Sequence, residues 1–212
     1  MKIKKLTNEK WLNLYKATWV DKKGKNREWI FASRKEPTGE IVPNRMRQEN
    51  AVVIVPIIRD LYGDSLYNKL VITKEWRAPI NDYEYGFPAG LVDCGELSVD
   101  TAKRELKEET GLTVSSVEHI SPPTFSSVGM TDESIVYVHV YCNGDITNKN
   151  TETDEDIETR AYNTRELEVL WSQDINWGAK AWPYIYNFIK QGKIVFNFAR
   201  KIKSSPKVKE NL

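Results

Sequence analysis

Histidine and cysteine are scarce in this sequence of 212 residues, which contains only two of each. The cysteines, Cys94 and Cys142, lack the spacing of a metal site, and a single pair does not suggest a disulfide framework. His119 and His139 belong to no recognisable serine–histidine–aspartate or cysteine–histidine constellation, so covalent catalysis has no support in the sequence. We expect neither histidine to take part in chemistry.

An excess of charge and long apolar runs are also lacking. The formal net charge is only +1, so no overall field attracts nucleic acid. No stretch is apolar for long enough to span a membrane, and the opening letters, MKIKKLTNEKW, contain no apolar signal core. With 40% hydrophobic residues for a core, we expect a cytoplasmic protein that binds neither nucleic acid nor membranes.

The most informative stretch that is present is an acidic segment, Arg104 to Glu109, with the letters RELKEE. On a helix its three glutamates fall within one arc about 100° wide. Ser98 is a candidate N-cap for this helix, and Gly111 suits its left-handed exit. A neighbouring apolar stripe would dock the helix on a sheet, so the acids would point into a cleft. The stripe consists of Val99, Ala102 and Leu106.

Two interpretations of these six residues compete. Crowded carboxylates repel one another unless cations lie between them, and oxygen ligands without histidine or cysteine suit Mg²⁺ or Mn²⁺. Several such ions in one site fit displacement at phosphorus, because they can clamp the attacking and the leaving oxygen. The alternative is a solvated acidic face neutralised by Lys103, Arg104 and Lys107, and the six residues alone favour it.

A longer pattern around this segment changes the balance. The pattern starts at Gly90, which is followed by five residues and Glu96, and then by seven residues and Arg104-Glu105-Leu106. Glu108-Glu109 and Gly111-Leu112 come next, each after a gap of one residue. This pattern resembles the Nudix hydrolase box at every fixed position. The resemblance implies an α/β (α+β) fold, an α/β/α sandwich with a mixed sheet, that hydrolyses nucleoside diphosphates linked to another group with Mg²⁺. It also implies that Glu105, Glu108 and Glu109 hold metal, that Glu96 supports the site, and that Arg104 orients the carboxylates.

Residues from about Trp11 to Glu158 are similar to one branch of that family, the ADP-ribose and ADP-sugar pyrophosphatases. The run into the box, FPAGL, implies that the Ala89 carbonyl is a metal ligand. The spacing of Trp11 and Trp29 implies that they sandwich the adenine, one from each subunit of a homodimer. Arg34 and Arg77 match arginines that contact the nucleotide or its phosphates. The alternatives are that these tryptophans only pack and that these arginines only pair with surface acids.

The attacking water needs a base that does not coordinate metal, because cations lower the pKa of their carboxylate ligands. The resemblance implies Glu155, in a mobile acidic loop after the box, with Glu133 as the second choice. A solvated loop is the alternative for both. The sequence departs from the branch in two places, with Val128 between Ser127 and Gly129 where many members have proline, and with Gly86 where many have glutamate.

The chain divides into three predicted parts. Residues 1–48 form an N-terminal β layer with an antiparallel hairpin over 10–34, residues 49–198 form the hydrolase domain, and 199–212 are a basic tail. Continuous β-branched or alternating runs predict strands, and the C-terminal apolar pattern predicts a helix over 179–190. We expect a loop over 77–86. The strands are predicted at 51–58, 69–76, 112–120, 135–142, 157–162 and 168–171.

These observations lead to an expected activity and two alternatives. The expected activity is Mg²⁺-dependent cleavage of ADP-ribose into AMP and ribose 5-phosphate. The first alternative keeps the chemistry but changes the substrate to another nucleoside diphosphate sugar, a dinucleotide or an oxidised nucleotide. The second is a nucleotide-sensing regulator that does not catalyse hydrolysis.

Overall fold

The N-terminal part of the protein is a three-stranded antiparallel sheet. The structure is a computed structural model and describes residues 1–38, 49–59, 68–147 and 156–192, together with residue 194. The predicted hairpin is confirmed, and it turns through Gly24, whose φ of 74° lies in the left-handed region. The sheet also contains a strand ahead of that hairpin. In spatial order its strands are β1 (Lys2–Lys5), β2 (Asn13–Val20) and β3 (Asn26–Ser33).

A second, mixed sheet contains nine strands within the described residues. Its main path in space is β12-β6-β5-β4-β10-β8, while β11 pairs with β5, β7 pairs with β4, and β9 pairs with β10. The strands are β4 (Ala51–Ile58), β5 (Lys69–Arg77), β6 (Asp82–Gly86), β7 (Ala89–Leu91), β8 (Thr113–Ile120), β9 (Thr124–Phe125), β10 (Ser134–Asn143), β11 (Ile157–Tyr162) and β12 (Asn176–Trp177). Strand β4 pairs in parallel with β10 and is buried along almost all of its length, as its continuous β-branched sequence predicts.

Helices cover both faces of this sheet. They are α1 (Ser98–Thr110), α2 (Thr164–Trp171) and α3 (Trp182–Gln191). Alternate residues of β4 point to opposite sides, so Ile54 packs in the apolar cluster that contains Leu106 of α1, while Val55 packs with Phe188 of α3. The predicted α/β/α sandwich with a mixed sheet is therefore confirmed. None of the helices in these ranges is long and apolar enough to cross a membrane.

Two predictions of secondary structure are wrong. Residues 168–171 belong to α2 instead of a strand, because Asn163 and Glu166 form a reciprocal capping box that begins a helix. Residues 82–86 form β6 instead of a loop, because this segment pairs with β5 along five residues. The strands predicted at 51–58, 69–76, 112–120, 135–142 and 157–162 and the C-terminal helix are confirmed within one to three residues at their ends.

The predicted division of the chain stays a prediction. Its boundaries at residues 48 and 198 and its basic tail, 199–212, lie outside the described residues.

Candidate active site

Helix α1 carries the acidic segment, and its apolar side fixes which way the glutamates face. Ala102 and Leu106 are buried against the sheet, and the helix ends at Gly111 in a left-handed conformation, as predicted. The predicted cap is wrong: Leu97 is the N-cap residue and Ser98 is the first, buried residue of the helix. Glu96 has the polar role at this end instead, because its carboxylate accepts a 2.8 Å hydrogen bond from the Thr101 hydroxyl.

Arg104 is the centre of the charged cluster. Its guanidinium donates twice to Glu96, through Nε to Oε1 at 3.2 Å and through Nη2 to Oε2 at 3.0 Å. Its Nη1 donates to Glu105 Oε1 at 2.7 Å and to Glu108 Oε2 at 3.1 Å, and Nη2 also reaches the Leu91 carbonyl oxygen at 3.3 Å. One planar cation thus fixes three carboxylates, which is the orienting arrangement that the sequence resemblance implies.

The pKa values of Glu96 and Arg104 are both shifted in the direction that favours the charged forms. Hydrogen bonds from Arg104, and next from Thr101, lower the pKa of Glu96 to about 2. The pKa of Arg104 is raised above its ordinary value, chiefly by the hydrogen bond to Glu96, with Glu105 adding to the effect. Both groups therefore stay charged across the neutral range, and Glu96 is unsuited to accept a proton there.

The loop before the box presses directly against α1. A Cβ atom on Gly90 would lie 2.5 Å from Glu105 Cγ and nearer still to the carboxyl group, so any larger residue here would require the Glu105 side chain to move. The next residue back, Ala89, donates its backbone N–H to Glu109 Oε1 at 3.2 Å, and Glu109 is 4% exposed. Strand β7 pairs with β4 at this point, so the Ala89–Gly90 backbone is a rigid wall beside two of the three glutamates.

The three glutamates that were expected to bind metal lie in one part of the structure, but they do not surround an ion site. Arg104 links Glu105 to Glu108, while Glu109 faces the Ala89 amide. Within the described ranges, no three acidic, histidine or cysteine side chains stand in an arrangement ready to hold an ion. The donor set still fits a hard divalent cation, because several carboxylates surround a single guanidinium and leave an excess of negative charge.

A cleft of about 390 Å³ opens beside Ala89 and continues to the edge of the sheet. Arg77 lies in it, with Nη1 2.6 Å from Glu75 Oε1 and Nε 3.3 Å from Glu84 Oε2. The alternative in which Arg77 pairs with acids therefore holds in this structure, and both acids line the cleft. Gly86 has no heavy atom within 4 Å of the position that a Cβ would occupy, so the cleft is open there. The lining residues are Val53, Thr73, Glu75, Arg77, Glu84, Gly86, Phe87, Ala89, Ser126, Ser127, Gly178, Ala179, Lys180 and Ala181.

Glu133 lies between cations from two different parts of the fold. Arg34, which follows β3, has its Nε 4.0 Å from Glu133 Oε1. Lys180, which precedes α3, has its Nζ 3.6 Å from Glu133 Oε2. This contact links the N-terminal layer to the C-terminal segment, and neither its geometry nor the role of Lys180 is indicated by the sequence. Glu155 lies outside the described residues.

The two tryptophans that were expected to sandwich the adenine both lie on the N-terminal layer, and both are exposed. Trp11 is 69% exposed and Trp29 is 53% exposed. Trp29 Nε1 donates to the Gly129 carbonyl oxygen at 3.1 Å, which fixes the ring beside the loop that leads to Glu133. Strand β3 is also bridged to that loop, because the Ala32 N–H donates to the Met130 carbonyl oxygen at 2.8 Å. The layer is thus attached to the edge of the candidate site.

Two curated proteins are similar to this chain over about two thirds of its length. The chain is 33% identical to the ADP-ribose pyrophosphatase of Saccharomyces cerevisiae over 139 residues, which are 65% of this chain and 55% of that protein. It is 30% identical to the ADP-sugar pyrophosphatase of Mus musculus over 141 residues, 66% of this chain and 59% of that protein. The matched region thus spans less than two thirds of the length of either relative.

The structural comparison covers more of the chain, and the family comparison covers about as much. A crystal structure of an ADP compounds hydrolase superposes with a TM-score of 0.64 at 20% identity, over 92% of this chain and 95% of that one, which shows the same fold. The model of the NUDIX domain matches residues 47–183, a range that contains the whole box and every residue that lines the cleft. The chain therefore belongs to the Nudix family.

Proposed function

We propose that this protein hydrolyses the diphosphate bond of ADP-ribose or a related nucleoside diphosphate sugar, giving AMP and ribose 5-phosphate or another sugar phosphate. The observation that carries the proposal is that Arg104 binds both Glu105 and Glu108 while Glu109 accepts from the amide of Ala89, which also lines the cleft. The names of the yeast and mouse relatives support this class of substrate.

The acids and one carbonyl would hold Mg²⁺ or Mn²⁺. Glu105, Glu108 and Glu109 would each supply a carboxylate oxygen, and Ala89 would supply its carbonyl oxygen. When bound, the metal neutralises charge on the diphosphate and makes water more acidic. Arg104 would keep its two hydrogen bonds to Glu96 and continue to hold α1 against the loop.

The reaction needs one proton acceptor. Glu155 takes a proton from the attacking water, whose oxygen forms a bond to one phosphorus while the bridging P–O bond breaks. The bridging oxygen leaves with its electron pair as part of the product phosphate. Glu133 is the second candidate for this role, and it lies within ion-pair distance of Arg34 and Lys180.

The N-terminal layer would contact the adenine of the substrate and the partner subunit. Trp11 and Trp29 stack on the two faces of the adenine, one from each protomer of a homodimer, and the exposure of both rings supports this arrangement. Arg34 and Arg77 contact the nucleotide or its phosphates. The substrate is a small molecule in the cytoplasm, and neither nucleic acid nor a membrane takes part. Residues 1–48 and 49–198 act as the binding layer and the hydrolase domain.

The test is the isosteric variant Glu109→Gln, measured by phosphate release from ADP-ribose in a coupled assay with Mg²⁺. The introduced amide keeps an oxygen that accepts from the Ala89 N–H but loses the charge, so we expect kcat to fall at least about a hundredfold without loss of the fold. Glu118→Gln, on an exposed part of β8, is the matched control.

Unchanged turnover in Glu109→Gln would remove the metal assignment. A panel of nucleoside diphosphate sugars, dinucleotides and oxidised nucleotides, ranked by kcat/KM, distinguishes the alternatives for the substrate. Binding of nucleotide without hydrolysis under several divalent metals would favour the regulator over the enzyme.

A further inference from the structure

Lys180 lies in the segment between β12 and α3, for which the sequence resemblance implies no site residue. The backbone of this segment is anchored on the sheet. The Gly178 N–H donates to the Tyr85 carbonyl oxygen at 2.8 Å, and the Gly178 carbonyl oxygen accepts from Ala181 and Trp182, both at 3.0 Å. The Lys180 carbonyl oxygen accepts from the Tyr137 hydroxyl at 3.3 Å. The side chain of Lys180 therefore starts from a fixed point on the cleft wall.

The ammonium group of Lys180 is held only loosely. Its one ion pair in the described part of the chain is with Glu133, and 3.6 Å is too long for a hydrogen bond. The side chain is 43% exposed, and Lys180 lines the same cleft as Ala89. An ammonium has three donors, so an anion that enters the cleft can bind it at little cost in lost contacts.

Arg77, the other cation of the cleft lining, is in a different situation. Glu75 and Glu84 both bind its guanidinium, so a phosphate must compete with two carboxylates for it. Lys180 has to leave only one long contact, and Glu133 keeps its pair with Arg34 when that happens. Among these cleft cations, Lys180 is therefore the one that binds an added anion most easily.

We propose that Lys180 Nζ binds a non-bridging oxygen of the substrate's diphosphate. This assignment rests on the proposed function, because it takes the cleft beside Ala89 as the place of the diphosphate. It adds a substrate contact from the C-terminal segment to those expected from the box and the N-terminal layer. On binding, Lys180 turns from Glu133 to the phosphate, so substrate entry also loosens one of the two ion pairs of Glu133.

The test compares two ligands that differ by the diphosphate alone, ADP and adenosine, in calorimetric titrations with Mg²⁺. Lys180→Met removes the charge and keeps the length of the side chain. We expect its affinity for ADP to fall about tenfold, the size of one charge-assisted hydrogen bond, while its affinity for adenosine is unchanged. Lys180→Arg is expected to recover most of the ADP affinity, and KM for ADP-ribose should rise in Lys180→Met.

Lys103→Met is the matched control, because Lys103 is also paired with one acid, Asp100, but lies on the exposed side of α1. It should leave the affinity for both ligands unchanged. If Lys180→Met leaves ADP binding intact, or weakens ADP and adenosine equally, the Lys180 assignment is overturned while the proposed function stands. If the unaltered protein does not hydrolyse ADP-ribose, the proposed function fails, and this assignment fails with it.

Discussion

Gly90→Ala is the sharpest single test of how the loop and α1 form one site. The added methyl group would lie 2.5 Å from Glu105 Cγ and closer to the carboxyl group, whereas real Cβ contacts essentially never fall under 3.0 Å. The backbone at Gly90 cannot retreat easily, because it pairs with Val52 of β4. The Glu105 side chain must therefore move, and it has to break its 2.7 Å hydrogen bond with Arg104 to do so.

The size of the effect follows from that displacement. The carboxyl group has to shift by about 1 Å or more, and a misplacement of that size in a catalytic arrangement costs roughly a hundredfold in rate, about 2.7 kcal/mol. Leu106 and Ala102 are untouched, so the packing of α1 on the sheet is retained. We expect kcat/KM for ADP-ribose to fall about a hundredfold and the Mg²⁺ concentration for half-maximal activity to rise.

The assay is a Mg²⁺ titration of ADP-ribose hydrolysis, with thermal unfolding measured on the same samples. Gly86→Ala is the control for metal affinity and stability, because it adds a methyl group in the same cleft where no heavy atom lies within 4 Å. Its melting temperature and Mg²⁺ requirement should match those of the unaltered protein. A Gly90→Ala variant with ordinary kcat/KM and Mg²⁺ requirement would refute the assignment of Glu105 to the metal.

Three further measurements concern stability. Burial, together with the charge of His119, lowers the pKa of His139 to about 4. Because the unfolded chain takes up this proton near pH 6.5, the free energy of unfolding should fall as the pH is lowered from 6.5 to 4, by up to about 1.4 kcal/mol per pH unit. His139→Phe should flatten that slope in urea titrations. The pKa of Glu96 is lowered, so its contribution to stability is present above pH 4.5 and lost as the pH falls toward 2. Glu96→Gln should lower the free energy of unfolding above pH 4.5 and remove this acid-side dependence. Asn163→Ala deletes the capping box of α2 and should cost about 1 kcal/mol in the same titrations, and no change would show that the cap is dispensable.

The elements with a regular pattern were predictable from the sequence. The continuous β-branched run of β4 can be buried on both sides only inside a covered sheet, and Ala102 and Leu106 could pack only on one side of α1. Gly111 ends that helix where its lack of a Cβ permits the left-handed conformation. These predictions succeeded because each depends on interactions within a few residues of the chain.

Other features were decided by contacts that the local sequence pattern does not reveal. The segment 168–171 has a strand-like composition, but the cap at Asn163 and the burial of Leu167 and Leu170 make it part of a helix. The segment 82–86 becomes β6 because β5 offers it hydrogen-bonding partners, which no local pattern reveals. Serine is a favoured residue type for an N-cap, but Ser98 is the first, buried residue of α1. Glu96 accepts the hydrogen bond from the Thr101 hydroxyl at this end of the helix instead.

The sequence by itself determined which residues are the candidates for the chemistry, because the spacing from Gly90 to Leu112 can be read from the chain without a structure. Only the tertiary structure decided how those residues are held. Arg104 binds three carboxylates, and the Glu105 side chain occupies the space that a Cβ atom on Gly90 would need. Lys180, which lies near the C-terminal end of the described chain, lines the same cleft as Ala89. The physical reason is that hydrogen bonds and ion pairs depend on distances in space, and the folding of β4, β7 and β12 into one sheet sets those distances.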